Sequence, residues 1–383
     1  MTPMLPTAYG DAGSLTDVLA SCLSAVGVTG LDNKLNVPDS SSLVLLVVDG
    51  LGSLNLQQAR GHARFMSDSR HARTNIKTVF PSTTAAALTS LMTGADPCEH
   101  GIVGYRLRDP DTGVLFNQLN ELDQAPSGWM RAPTLARTHG SSSAEVVVVG
   151  RAKFEHSALS RMIYDGARYV SAETIDARIQ KGVELAHTSG RVVLVYVSEL
   201  DSAAHKHGVE SSHWGSALEE LDGSIRQACR TLPPEISVVV TADHGIVDVP
   251  AARQTVFFDS SLVDGVIGIG GEPRCLQLYV QDKSRVDQVV SRWRAFVGAT
   301  ATVQTRSDAL HQGLFGVGEP SNNPVTRRIG DVVVLATSET AFYDGNAAST
   351  APQRMIGQHG ALSDAEMDIP FIVIRNSEAS MRP

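Results

Sequence analysis

Residues 43–50 read Leu-Val-Leu-Leu-Val-Val-Asp-Gly: six apolar residues run into a carboxylate and then a glycine. The run does not alternate with polar residues, so it reads as a strand buried on both faces, as in a sheet covered by helices. Similar runs recur at Glu145–Val149, Val192–Val197, Ile236–Thr241, Asp331–Leu335 and Phe371–Ile374. Helical stretches lie between several of them. Thr83–Met92 is rich in Ala and Leu after Pro81-Ser82, and Ala172–His187 and Trp214–Thr231 place apolar residues three and four apart. This alternation predicts an α/β fold with a mostly parallel central sheet flanked by helices.

Residues 245–358 have a different texture. They hold Gly265–Gly271, a strand-like Cys275–Val280, a helical Ser284–Val297, and Gly313–Asn323, which is rich in Gly, Pro and Asn. We expect 1–244 and 359–383 to form one core, with 245–358 as a smaller inserted α+β cap and return to the core. The run Gly268-x-Gly270-Gly271 is not a dinucleotide fingerprint, because Glu272-Pro273 follows it instead of a helix.

The chain has 383 residues, with 32 Lys and Arg against 41 Asp and Glu, for a formal net charge of −9. At 42% hydrophobic and 19% charged, it is ordinary for a folded protein. No basic surplus is present to neutralise a phosphate backbone, so no nucleic-acid binding is expected. Phosphate substrates stay open, because bound metal ions can supply positive charge. The four cysteines form no C-x-x-C pair, which argues against a disulfide framework or a cysteine zinc site. The apolar runs are too short to span a bilayer, and Met1–Gly13 lacks the basic and apolar parts of a signal peptide. A cytoplasmic location without a membrane partner is expected.

Chemistry concentrates where the strands stop. In open α/β sheets the carboxyl ends of strands face the ligand crevice. Asp49-Gly50 ends the first run. Tyr196-Val197-Ser198-Glu199-Leu200-Asp201 ends another, with His205 four positions on and so on the same helical face. His207, two positions further on, faces elsewhere or supports a ligand or the substrate. Asp243-His244-Gly245 ends a third run, and His359 stands between Gln358 and Gly360. Alone, Asp49-Gly50 reads equally well as a turn and the Asp201 stretch as a solvated helix start, while Asp243-His244 reads better as a plain turn and His359 as a loop residue. Ser82, Thr83 and Thr84 could likewise do no more than cap the Ala-rich helix. Together they close a count. Asp49, Asp243 and His244 with a threonine oxygen make one four-coordinate set. Asp201, His205 and His359 with water or substrate make a second. Carboxylates with neutral imidazoles suit zinc, with manganese as the alternative, and two such ions form a hydrolytic pair.

In chain order, Asp49-Gly50, a threonine at a helix start, Met92-Thr93-Gly94 with His100-Gly101-Ile102, Asp201-x-x-x-His205, Asp243-His244-Gly245 and His359-Gly360 resemble the alkaline phosphatase superfamily. The nearest branch is the type I phosphodiesterase/nucleotide pyrophosphatase family. The resemblance covers most of the chain and implies two Zn²⁺ ions and a phosphorylated or nucleotidylated threonine. It also implies a cap between Asp243-His244 and His359. Counting back from Gly94 as the family does makes Thr84 the nucleophile, itself a metal ligand, with Thr83 as the alternative. The implied function is hydrolysis of a small phosphate ester, foremost a phosphodiester or nucleotide pyrophosphate bond. A monoesterase or phosphonate-ester hydrolase is the alternative, and an inactive metal-binding module the non-enzyme one.

Two departures bear on the diester reading. The family's Thr-Phe-Pro-Asn is here Thr84-Ala85-Ala86-Ala87, so an Asn that would hold a non-bridging oxygen is missing at Ala87. An Asn that often follows His-Gly-Ile is also missing, with Tyr105 nearby. The nucleophile runs of sulfatases, ordinary alkaline phosphatases and cofactor-independent phosphoglycerate mutases are absent. Arg327-Arg328 reads as a solvated pair before a phosphate contact. The specificity pocket is expected in the cap and in Tyr105–Trp129.

Overall fold

A computed structural model of the protein describes residues 13–140, 144–316, 323–347 and 349–375. Eleven strands matter here, numbered along the chain: β1 (Ser42–Val48), β2 (Ala72–Lys77), β3 (Glu145–Gly150), β4 (Arg168–Ser171), β5 (Arg191–Val197), β6 (Ile236–Ala242), β7 (Val266–Glu272), β8 (Cys275–Val280), β9 (Ala301–Thr305), β10 (Val332–Ala336) and β11 (Asp368–Ile374). The central sheet runs β2-β11-β6-β1-β5-β3-β4. Every residue of β1 and β6 is buried, as their unbroken apolar runs require. The pairs β6-β1, β1-β5, β5-β3 and β3-β4 are parallel, and β11 is antiparallel to both its neighbours.

Register positions the site. Val48 of β1 is level with Val197 of β5 and Ala242 of β6, so these three strands stop on one line. Asp49, Ser198 and Asp243 therefore emerge together at the carboxyl edge. The Asp49 amide still donates to the Val197 carbonyl at 2.9 Å, which holds the first carboxylate at that edge.

Helices α1 (Thr84–Thr93), α2 (Ile175–Ala186), α3 (Glu199–His207) and α4 (Ser212–Cys229) belong to the core region. The stretch Ala172–His187 becomes a helix only from Ile175, where the Thr174 hydroxyl accepts from the Ala177 amide. A second sheet, β7-β8-β10-β9, is antiparallel throughout and packs with α5 (Val286–Val297) around Leu278, Trp293 and Phe342. A buried bidentate ion pair ties it to the first sheet's side of the molecule: Arg274 donates to Glu366 at 2.7 and 2.8 Å. Part of Gly313–Asn323 lies outside the described residues. Among the described residues, no helix is long and apolar enough to cross a membrane.

Candidate metal centre

The structure brings six of the named side chains into two groups. Asp49, Asp243 and His244 form one; Asp201, His205 and His359 form the other. Within each, one donor atom per residue lies within 4.8 Å of the others. His244 Nε2 stands 3.4 Å from Asp49 Oδ1 and 3.5 Å from Asp243 Oδ2. His205 Nε2 is 3.3 Å from Asp201 Oδ2, and His359 Nε2 is 4.0 Å from Asp201 Oδ1. The two groups adjoin, since the His244 and His359 rings stack at 3.8 Å.

Local structure explains the placement. Asp201 and His205 lie one turn apart on α3, so they share a face. Gly50 has φ 73°, and a Cβ there would stand 3.2 Å from the Asp201 carboxylate and backbone, so glycine lets the β1 turn approach α3.

Three buried carboxylate oxygens, Asp49 Oδ1, Asp201 Oδ1 and Asp243 Oδ2, have no hydrogen-bond partner. Buried polar atoms are rarely left so. Each histidine holds its other ring nitrogen on a backbone carbonyl. His205 Nδ1 donates to Gly357 at 2.7 Å, His359 Nδ1 to Ser82 at 2.8 Å, and His244 Nδ1 to Gly245 at 3.1 Å. A carbonyl can only accept, so a neutral ring keeps its proton on Nδ1 and its lone pair on Nε2, the tautomer a metal ligand needs. Orphaned carboxylate oxygens facing imidazole lone pairs are the donor set of a divalent cation.

The electrostatics agree. Burial, with the charges of Asp201 and Asp243, pushes the Asp49 carboxyl well above the usual range. Burial raises Asp243 also. Burial, with the neighbouring His244 and His205, pushes His359 well below the usual imidazole range. The Tyr196 hydroxyl donates to the second oxygen of Asp49. The protein alone thus leaves acceptors crowded without a cation.

Thr84 opens α1, and its hydroxyl lies 3.1 Å from His244 Nε2. The capping role does not hold. Thr83 is the N-cap residue, but its side chain makes no capping hydrogen bond. Ser82 Oγ instead donates to the Ala361 carbonyl at 2.8 Å and accepts from the Gly360 amide at 3.1 Å, beside His359. His100 is fully buried, accepts from the Ile102 amide at 3.1 Å, and shares a 2.8 Å hydrogen bond with Ser90 on α1.

Of Arg327 and Arg328, expected as a solvated pair, only Arg327 is exposed. Arg328 is buried, donates to the Gly101 and Trp129 carbonyls and lies over the Trp129 ring, while Arg327 pairs with Asp111.

A cavity of about 740 Å³ opens over the centre. Tyr105, Leu119 and Asn120 line it from the stretch expected to give specificity, and Ile269–Pro273 and Phe342–Asp344 line it from the region expected to form the cap. Arg106, inside the same expected stretch, also lines it, and sequence reasoning missed Lys153, Phe154 and Tyr164. Lys153 and Phe154 follow the end of β3 by a few residues, and strand-end position was the available signal.

Fold and site together define an alkaline phosphatase-like α/β protein with two adjoining groups of candidate metal ligands at the strand ends. The profile of the type I phosphodiesterase / nucleotide pyrophosphatase family matches residues 43–362, and the chain belongs to that family. It is 24% identical over 178 residues to an uncharacterized pyrophosphatase/phosphodiesterase of Schizosaccharomyces pombe, covering 44% of this chain and 36% of that one. It is 26% identical over 182 residues to bis(5'-adenosyl)-triphosphatase ENPP4 of Pongo abelii, covering 45% and 40%. The matched parts thus span about two fifths of these relatives. Among solved structures, phosphonoacetate hydrolase of Sinorhizobium meliloti matches with a TM-score of 0.67 at 20% identity, covering 88% of this chain and 91% of that one. Murine ectonucleotide pyrophosphatase / phosphodiesterase 5 matches with a TM-score of 0.63 at 17% identity, covering 87% of both. These two likenesses establish the fold.

Proposed function

We propose that this protein is a metal-dependent phosphoester hydrolase that cleaves a phosphodiester or nucleotide pyrophosphate bond through a phospho-Thr84 intermediate. The observation that carries it is the convergence of three orphaned carboxylate oxygens and three imidazole Nε2 atoms beside the Thr84 hydroxyl. Asp49, Asp243 and His244 hold one ion and Asp201, His205 and His359 the other, zinc by the mixed carboxylate–imidazole donor set. When bound, the ions supply positive charge that favours an ionised hydroxyl and the departing oxygen.

Thr84 supplies the attacking oxygen: its O–H bond breaks and the proton passes to solvent, an O–P bond forms, and the P–O bond on the opposite side breaks to release the alcohol or phosphate, which takes a proton from solvent as its own basicity requires. The first amides of α1, which have no partner within the helix, hold phosphoryl oxygens. Water then hydrolyses the Thr84 ester. In murine ectonucleotide pyrophosphatase / phosphodiesterase 5, a threonine-to-alanine form is inactive and holds AMP. The 740 Å³ cavity has room for a second substituent on phosphorus, which favours diesters. Residues 245–358 act as the cap that shapes this cavity.

A panel of p-nitrophenyl phosphate, bis-p-nitrophenyl phosphate and p-nitrophenyl phenylphosphonate, assayed with Zn²⁺ and with Mn²⁺, tests the reading. Diester cleavage lost on chelation and restored by zinc is expected. A faster monoester or phosphonate ester would reassign the substrate, and no turnover with metal bound would leave a binding module.

A further inference from the structure

The two oxygens of Asp49 are in different circumstances. Oδ1 is buried without a hydrogen-bond partner and stands 3.4 Å from His244 Nε2. Oδ2 accepts from the Tyr196 hydroxyl. Asp243 repeats the pattern. Its Oδ1 accepts from the Gly50 amide at 3.2 Å and the His244 amide at 2.9 Å. Its Oδ2 is the unpartnered atom, 3.5 Å from His244 Nε2. Each carboxylate of this group thus has one oxygen held by the protein and one left facing the imidazole.

The holding donors differ in kind. Those of Asp243 are backbone amides, which almost any residue supplies. That of Asp49 is a single side-chain hydroxyl, and the sheet is arranged to deliver it. Tyr196 lies on β5 level with Val47 of β1, and the ladder continues to the Asp49 amide. Residues two apart on a strand share a face, so Tyr196 and Asp49 leave the same side of the sheet, about 6.6 Å apart along it. The length of a tyrosine spans that rise. The ring is nearly buried and packs edge-on against Phe154 at 6.1 Å, so it is held in place. A phenol keeps its proton at neutral pH, so the hydroxyl donates and the carboxylate accepts.

We propose that Tyr196 is a positioning residue that confines Asp49 to a single ligand oxygen. With Oδ2 occupied, Asp49, Asp243 and His244 offer one donor atom each. Three protein donors with one open position suit a small four-coordinate ion such as Zn²⁺. A carboxylate free to close on an ion with both oxygens adds a donor, and ions that take more oxygen ligands, Mn²⁺ among them, accept it. Tyr196 thereby sets which metal this group prefers without touching the metal. The inference rests on reading the two groups as metal sites and extends that reading to metal selectivity.

The test is Tyr196→Phe, which removes one oxygen and keeps the ring. Zn²⁺ and Mn²⁺ compete for the metal-free parent and the metal-free variant, and mass spectrometry reads what is bound. The preference for Zn²⁺ over Mn²⁺ is expected to fall roughly tenfold or more, the size of losing a group that orients a ligand. Co²⁺ reports the geometry separately: its visible absorption, intense when four-coordinate, weakens in the variant as a further donor arrives. A metal preference or a Co²⁺ spectrum unchanged from the parent overturns the proposal. Should the variant not fold, a crystal structure of the zinc-loaded parent decides. One Asp49 oxygen on the ion and the other on Tyr196 supports the role, and both oxygens on the ion overturns it. A parent that binds none of these ions removes the metal reading itself, and the inference with it.

Discussion

Ser82 lies between the proposed nucleophile and a proposed metal ligand, and its removal has a calculable cost. The side chain is fully buried. Its Oγ joins the Ala361 carbonyl at 2.8 Å and the Gly360 amide at 3.1 Å, while its own carbonyl accepts from His359 Nδ1 at 2.8 Å. In Ser82→Ala the third contact survives and the first two are lost. Each leaves a buried backbone group unsatisfied, at about 1–3 kcal/mol apiece. The sum is about 2–6 kcal/mol, and partial relaxation of the Gly360-Ala361 turn places the expected value near the lower third, about 3 kcal/mol. Because that turn carries His359, affinity for the second ion should also fall roughly 10–100-fold, as loss of a group supporting a ligand does. Urea unfolding of the metal-free protein at constant m-value reads the first quantity, and titration against a chelator reads the second. A stability change below about 0.5 kcal/mol with unaltered metal affinity would refute the idea that Ser82 holds this loop.

Thr84→Ala should abolish turnover while metal content stays near that of the parent; full activity would move the role to Thr83. His359→Ala should lower metal stoichiometry, because one group keeps only Asp201 and His205, and unchanged content by mass spectrometry would contradict its role. Burial pushes His100 down to about 3, so between an unfolded value near 6.5 and that pH the unfolded chain binds more protons. Its contribution is complete above about pH 6.5 and is lost as pH falls, the loss reaching about 3 kcal/mol by pH 4.5. The difference in stability between pH 7 and pH 4.5, measured in the parent and in His100→Gln, should shrink by that amount; equal differences would falsify the assignment.

The strands that proved legible are those buried on both faces. β1, β5 and β6 bury nearly all their residues, so their sequences are forced to be apolar, and the polar residue ending each run marks the sheet's edge. Edge strands carry no such constraint. β2 reads Ala-Arg-Thr-Asn-Ile-Lys with four exposed positions, and β4 is exposed at both ends, so neither shows a pattern. Direction is equally silent. Phe371–Ile374 is as apolar as its parallel neighbours, yet β11 runs against them. The six metal-group residues could be found because Asp49 and Asp243 end strands, Asp201 and His205 share a face of the helix that follows one, His244 adjoins Asp243, and His359 stands in a glycine-flanked stretch. Arg328 misled because a paired arginine motif looks solvated until Trp129 and Gly101 fold over it.

The position of β11 has a consequence for how the chain is made. β2 touches the central sheet only through β11, which is translated long after it, and β11 also covers the open side of β6. While a ribosome is still working through residues 245–358, β6 presents an unpaired edge and β2 has nowhere to dock. His359 is likewise still missing, so the group with Asp201 and His205 is incomplete. The nascent protein must pass through a long interval with a sheet open to its neighbours. Its yield in a cell should therefore depend on how well that single edge is shielded until the final strand slides in.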